Sequence, residues 1–146
     1  MSYYQHNQGY NWQSIPILAY KEDGTHFKNI TRRTLFQGSS CLQAELRYFE
    51  IAGGGYSTLE RHEHIHVVVV QRGRGAALVG EDIFELHYLD IVEIPPNTWH
   101  QFRASFDEPL GFLCLVNSER DRPHRPDPQE LEKLRENFKI ADFIRT

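Results

Sequence analysis

Cysteine is scarce in this chain: only Cys41 and Cys114 occur in 146 residues, far apart and in no metal-knuckle spacing. That excludes a disulfide framework and leaves two free thiols as the expectation. Excess positive charge is also lacking. Sixteen Lys and Arg face 20 Asp and Glu, for a formal net charge of -4 and a pI near 6.0. The basic residues are scattered, which argues against a nucleic-acid binder, whose affinity rests on cations neutralising phosphates. No apolar run approaches the roughly 20 residues that a membrane-spanning helix requires. The opening residues, Met1, Ser2, Tyr3, Tyr4, Gln5 and His6, have neither the basic start nor the apolar core of a secretory signal. The expectation is a cytoplasmic protein that binds neither nucleic acid nor membrane.

What is present is an ordinary globular balance, with 40% hydrophobic and 25% charged residues. The length suits one domain. Residues 1–14 are polar and without periodicity, so they read as an arm that is loose or lies on a partner. Short apolar runs punctuated by turn residues follow: Leu42 to Ala52 before three glycines, Ile65 to Val70, Ala76 to Val79 before Gly80, Ile83 to His87, Ile91 to Ile94 before Pro95 and Pro96, Trp99 to Arg103, and Leu110 to Val116. Many short strands at regular spacing predict an all-β fold, a small antiparallel β-barrel or jelly roll, over 15–118. Closure removes exposed edges and lets side chains from several strands converge inside. Residues 119–128, with three prolines, read as a linker. Asp127, Pro128 and Glu130 form an N-cap with a capping box, and one C-terminal α-helix is expected over 129–144, its apolar stripe made by Leu131, Leu134, Phe138 and Ala141.

Chemistry concentrates in Glu60, Arg61, His62, Glu63, His64, Ile65, His66, where four candidate metal ligands alternate. Alternation puts them on one face if the segment is a strand. A straight strand would hold Glu60 and His66 about 20 Å apart, so both can reach one ion only if the chain bends, and a bend is expected near His64. A second signal is His100, which follows a Pro-rich turn and would close a site from another strand. The expected ligands are Glu60, His62, His66 and His100, with His64 as the alternative to His66. Glu45, Arg47, Tyr48 and Glu50 are candidate general bases on a strand whose inward parity is undecided.

These two segments resemble the motifs of the small single-domain cupins, a resemblance spanning roughly residues 42–117. Anchored on Gly73, the first family motif puts its Glu at His66, its second His at His62 and its first His at Glu60, so a carboxylate and an imidazole are exchanged. In the second motif Pro95 and His100 match, while Leu89 and Asn97 replace glycines. An alternative register pairs His62 with His64. The resemblance implies a β-barrel and a homodimer.

Three imidazoles and one carboxylate suit one divalent transition metal ion, Mn, Fe, Co, Ni or Zn. Such a centre favours a small anionic or chelating metabolite. Two functions are compatible: a metal-dependent enzyme of the dioxygenase or isomerase type, or a non-catalytic module that binds or senses a metal or small molecule. No helix-turn-helix accompanies the barrel, which weighs against a DNA-binding regulator.

Overall fold

The computed structural model describes residues 2–21 and 24–146. Its order is β1 (His6–Asn7), β2 (Asn11–Trp12), β3 (Leu18–Ala19), β4 (Lys28–Phe36), β5 (Ala44–Tyr56), β6 (His66–Gly73), β7 (Gly75–Val79), β8 (Asp82–Leu86), β9 (Ile91–Ile94), β10 (His100–Ala104), β11 (Leu110–Asn117), α1 (Pro128–Arg135) and α2 (Phe138–Phe143). All strand pairs are antiparallel, and the main sheet runs β8-β7-β10-β5-β11-β6-β9, with β4 on β5 and β3 on β4. The sheet curls into a half-barrel, as the spacing of short strands predicts.

Side-chain parity fills the concave face. Phe49 and Ile51 of β5, Val68 and Val70 of β6, Phe102 of β10, and Phe112, Cys114 and Val116 of β11 form one buried cluster. Each series advances by two residues, the strand period. The turns are built as their residues require: Asn97 has φ 57°, Gly80 φ 66°, and Leu89, where the resembled motif has glycine, φ 69°.

Several expectations are corrected. The described part of the arm is neither loose nor in need of a partner to lie on: β1 and β2 form a hairpin whose Tyr10 stacks on Tyr48 of the same chain at 5.4 Å, with Trp12 edge-on to the same ring. Strand β5 does not stop at its glycines but continues to Tyr56. There Gly53 and Gly55 lie so close to the Phe106 and Lys28 carbonyl oxygens that a Cβ would not fit. Strand β4 was not anticipated. The single helix is two. The N-cap Asp127 and its capping box with Glu130 are present, but α1 ends at Arg135, and Asn137 caps α2 by accepting from the Lys139 N–H. The apolar stripe changes accordingly. Phe138 is exposed, while Ile140, Phe143 and Ile144 pack with Leu59 and Leu78. Each such buried side chain contributes about 1.5–3 kcal/mol. Buried Gln101 locks the tail, donating to the Ser57 and Arg145 carbonyls and accepting from the Arg145 N–H. Among the described residues no helix is long and apolar enough to cross a membrane.

Candidate metal centre and its cavity

The segment between β5 and β6 is not a strand, so its ligand candidates are not arrayed along one face. Instead, Glu60 pairs with His100 through two backbone hydrogen bonds, and Arg61 pairs likewise with His124. The chain then bends at Glu63 and His64, the place where a bend is expected, and enters β6 at His66. The Asn97 N–H donates to the His62 carbonyl at 2.7 Å, tying this bend to the Pro-rich turn before β10.

The result brings His62, His66 and His100 together: one ring nitrogen of each lies within 4.8 Å of the others. His62 and His100 are 3% and 4% exposed. His62 donates its Nδ1–H to the His64 carbonyl at 2.7 Å, and His100 donates its own to the Thr98 carbonyl at 2.9 Å. Only a proton on Nδ1 makes those bonds, so in the neutral rings the Nε2 lone pairs are available. Nε2 of His62 and of His66 are buried with no hydrogen-bond partner among the described residues. A buried polar atom left alone costs about 1–3 kcal/mol.

All three imidazoles are held neutral. Burial pushes His62 down to about 4, with His100 and His64 acting in the same direction. Burial also lowers His66 strongly, aided by His100 and His62. For His100 burial again dominates, against the opposing pull of Glu60. Neutral rings, free lone pairs and convergence are what a divalent ion requires, so these three residues could hold one.

Glu60 and His64 stand outside that group. Glu60 is buried, but its Oε2 accepts from Lys21 Nζ at 2.6 Å, and the same ammonium donates to Thr58 Oγ1 at 3.0 Å. The ligand expected there is engaged by a cation. The His64 ring stacks on His62 at 3.7 Å and bonds through Nδ1 to Asp121.

The imidazoles help to line a cavity of about 230 Å³. That is room for a small metabolite, not a polymer. Its walls include Phe49, Phe102, Phe112, Arg32, Arg47 and Cys114. The parity of β5 is thereby settled: Arg47 and Phe49 face inward, whereas Tyr48 faces the N-terminal hairpin. The place of Cys114 in the cavity wall was not foreseen. Its alternation with inward-facing Phe112 and Val116 is the signal that could have found it. Burial pushes its thiol up, while the Arg47 guanidinium, whose Nη2 donates to Sγ at 3.4 Å, pulls it down.

Comparison with known proteins fits this geometry. Residues 47–116 match the Cupin domain family, and a relative from Rhodospirillum rubrum is 49% identical over 136 residues, covering 92% of this chain and 86% of its own length. The chain belongs to the cupin family. That relative is named 1-methylthio-D-xylulose 5-phosphate methylsulfurylase. Among solved structures, a cupin 2 conserved barrel domain protein from Rhodopseudomonas palustris is 46% identical, with a TM-score of 0.94 over 99% of this chain and 100% of that one. A cupin-2 domain protein from Rhodospirillum rubrum is 48% identical, with a TM-score of 0.87 over 93% and 91%.

Proposed function

We propose that this cupin is an enzyme that removes the methylthio group from 1-methylthio-D-xylulose 5-phosphate, the compound in its Rhodospirillum relative's name. The carrying observation is that one cavity holds both a buried thiol, Cys114, and three converging imidazoles, His62, His66 and His100. A methylthio group needs a sulfur acceptor, and among the described residues Cys114 is the buried thiol.

In this reading His62, His66 and His100 would hold a divalent ion, and Glu60, which accepts from Lys21, would be the fourth ligand. A bound ion would supply Lewis acidity at the ketone oxygen next to the reacting carbon. The Cys114 sulfur attacks the substrate sulfur. The new S–S bond forms as the C1–S bond breaks, the electron pair goes to C1, and the thiol proton ends there as the third hydrogen of a methyl group. The products are a 1-deoxyketose phosphate and a methyl disulfide on Cys114, and a second thiol compound must reduce that disulfide for turnover. Arg47 favours the thiolate form of Cys114 before it attacks. Phe49, Phe102 and Phe112 keep water from the developing carbanion.

This replaces oxidation by dioxygen with group transfer as the preferred chemistry. Incubation with 1-methylthio-D-xylulose 5-phosphate, without added thiol, should give one equivalent of product and a methylthio adduct on the peptide carrying Cys114. Cys114→Ser should give neither while retaining its metal. Multiple turnovers by Cys114→Ser would overturn the reading, and no turnover by the metal-loaded wild type would favour a binding module.

A further inference from the structure

The described lining of the cavity holds more cationic side chains than carboxylates. Among the described residues four cationic side chains line it, Lys21, Arg32, Arg47 and Arg120, against two carboxylates, Glu60 and Asp121. Lys21 is matched by Glu60, and Asp121 is engaged by the turn at His64. Arg120 donates to Glu45 at 3.0 Å and to the Asn117 carbonyl at 2.7 Å. Among the described residues two guanidinium groups, those of Arg32 and Arg47, are left with few acceptors.

Arg32 on β4 is half-buried, and its one hydrogen bond among the described residues runs from Nε to the Ala19 carbonyl at 3.2 Å. No carboxylate of the described residues pairs with it. The Arg47 side chain is only 11% exposed. Its Nε lies 3.5 Å from Glu45 Oε1 but makes no hydrogen bond, and its Nη2 has only the weak thiol acceptor of Cys114. A buried guanidinium N–H without an acceptor is costly, and a planar fork of such donors matches a tetrahedral oxyanion.

We propose that Arg32 and Arg47 form the subsite for the phosphate monoester of a phosphorylated ketose. The register supports the distance. Cys114 lies across from Arg47 on neighbouring strands, and Arg47 across from Thr34, two residues beyond Arg32 on β4. At about 4.8 Å per strand, β4 is roughly 10 Å from β11. The span suits a five-carbon chain with its sulfur at Cys114 and its phosphate toward β4. The ketose and the placement of its reacting end rest on the methylthio-transfer reading; recognition of a phosphate group by Arg32 and Arg47 does not.

The test is calorimetric titration of the metal-loaded full chain with D-xylulose 5-phosphate and with D-xylulose. Wild type should prefer the phosphorylated sugar at least tenfold. Arg32→Gln should lose most of that preference while keeping its melting temperature, metal content and affinity for D-xylulose, and Arg32→Lys should recover part of it. Arg47→Gln should behave similarly, but it also touches Cys114, so Arg32 decides. No phosphate preference in wild type, or unchanged preference in Arg32→Gln, overturns the proposal. The two readings separate cleanly. Phosphate-dependent binding without methylthio transfer sinks the transfer reading alone, whereas transfer with KM unchanged in Arg32→Gln sinks the subsite alone.

Discussion

Asp121 Oδ1 lies 2.5 Å from Nδ1 of His64, and the same carboxylate accepts the backbone N–H groups of Glu63 and His64. One side chain from the segment after β11 thus holds the bend that sets His62 and His66 on one centre. Partial burial works to raise the Asp121 pKa, but the bonds from Glu63 and His64 outweigh it and hold the carboxyl at about 2. Asp121→Ala should therefore weaken divalent-metal affinity by about tenfold to a hundredfold, the usual effect of removing a group that orients ligands. Calorimetric titration with Mn²⁺ or Zn²⁺ checks this, and unchanged affinity would show that the bend holds without Asp121.

The grouping of imidazoles predicts unequal effects within the His cluster. His62→Ala, His66→Ala and His100→Ala should each lose stoichiometric metal, whereas His64→Ala should retain most of it. Elemental analysis of protein purified without a His tag measures this directly. Full metal in His66→Ala would move the third ligand to His64. Glu60→Gln should lower affinity if the carboxylate leaves Lys21 for the ion.

Acid should destabilise the metal-free protein, with a sign fixed by the imidazoles. Unfolded His titrates near 6.5, whereas burial lowers His62 to about 4 and lowers His66 and His100 as well. The unfolded chain therefore binds more protons below pH 6.5. The stability contributed by these neutral rings is fully present above about pH 6.5. It is lost as pH falls from there through about 4 for His62, and the other two add to the loss. The melting temperature of apo protein should fall between pH 7 and pH 5, and less so in His66→Ala. Metal should raise it at pH 7.5, by an amount equivalent to about 2.7 kcal/mol at a hundredfold excess over Kd. EDTA should reverse that gain. A flat apo profile across this range would contradict the burial of neutral imidazoles.

The strands from β6 to β11 were legible because their apolar runs are bounded by Gly, Pro and Asp, and the two ligand segments because His clusters are rare on ordinary strands. Strand β4 was not, for a physical reason. Its sequence Thr31, Arg32, Arg33, Thr34 is polar on both faces. Arg32 faces the cavity, while Arg33 is buried beneath the N-terminal hairpin, bonded to Asn11 and stacked on Tyr48. Neither face shows the apolar alternation by which a strand is recognised. The hairpin β1-β2 is fixed by stacking on Tyr48, a contact 38 residues from Tyr10 that no local pattern reports. Alternation across Glu60 to His66 was misleading in detail, because the imidazoles converge through a bend and a backbone clamp from His124 rather than along a strand. Glu60 fell outside the imidazole group because its partner, Lys21, comes from a segment with no motif at all.

Leu89 and Gly73 share a backbone conformation, φ 69° in each, and should respond oppositely to exchange. At Gly73 an added Cβ would land on the Pro109 carbonyl oxygen, so Gly73→Ala meets both steric overlap and the left-handed penalty. It should cost about 2–4 kcal/mol. Leu89 is exposed, in the turn between β8 and β9, and its side chain gains little there. A left-handed non-glycine residue costs roughly 1–2 kcal/mol, and glycine's greater unfolded freedom returns about 0.5–1 of it. Leu89→Gly should thus be more stable than wild type by about 0.5 kcal/mol, with an unchanged denaturant slope. Urea unfolding of the two variants beside wild type decides the matter. A destabilised Leu89→Gly would mean that the leucine side chain makes a contact worth more than its backbone strain.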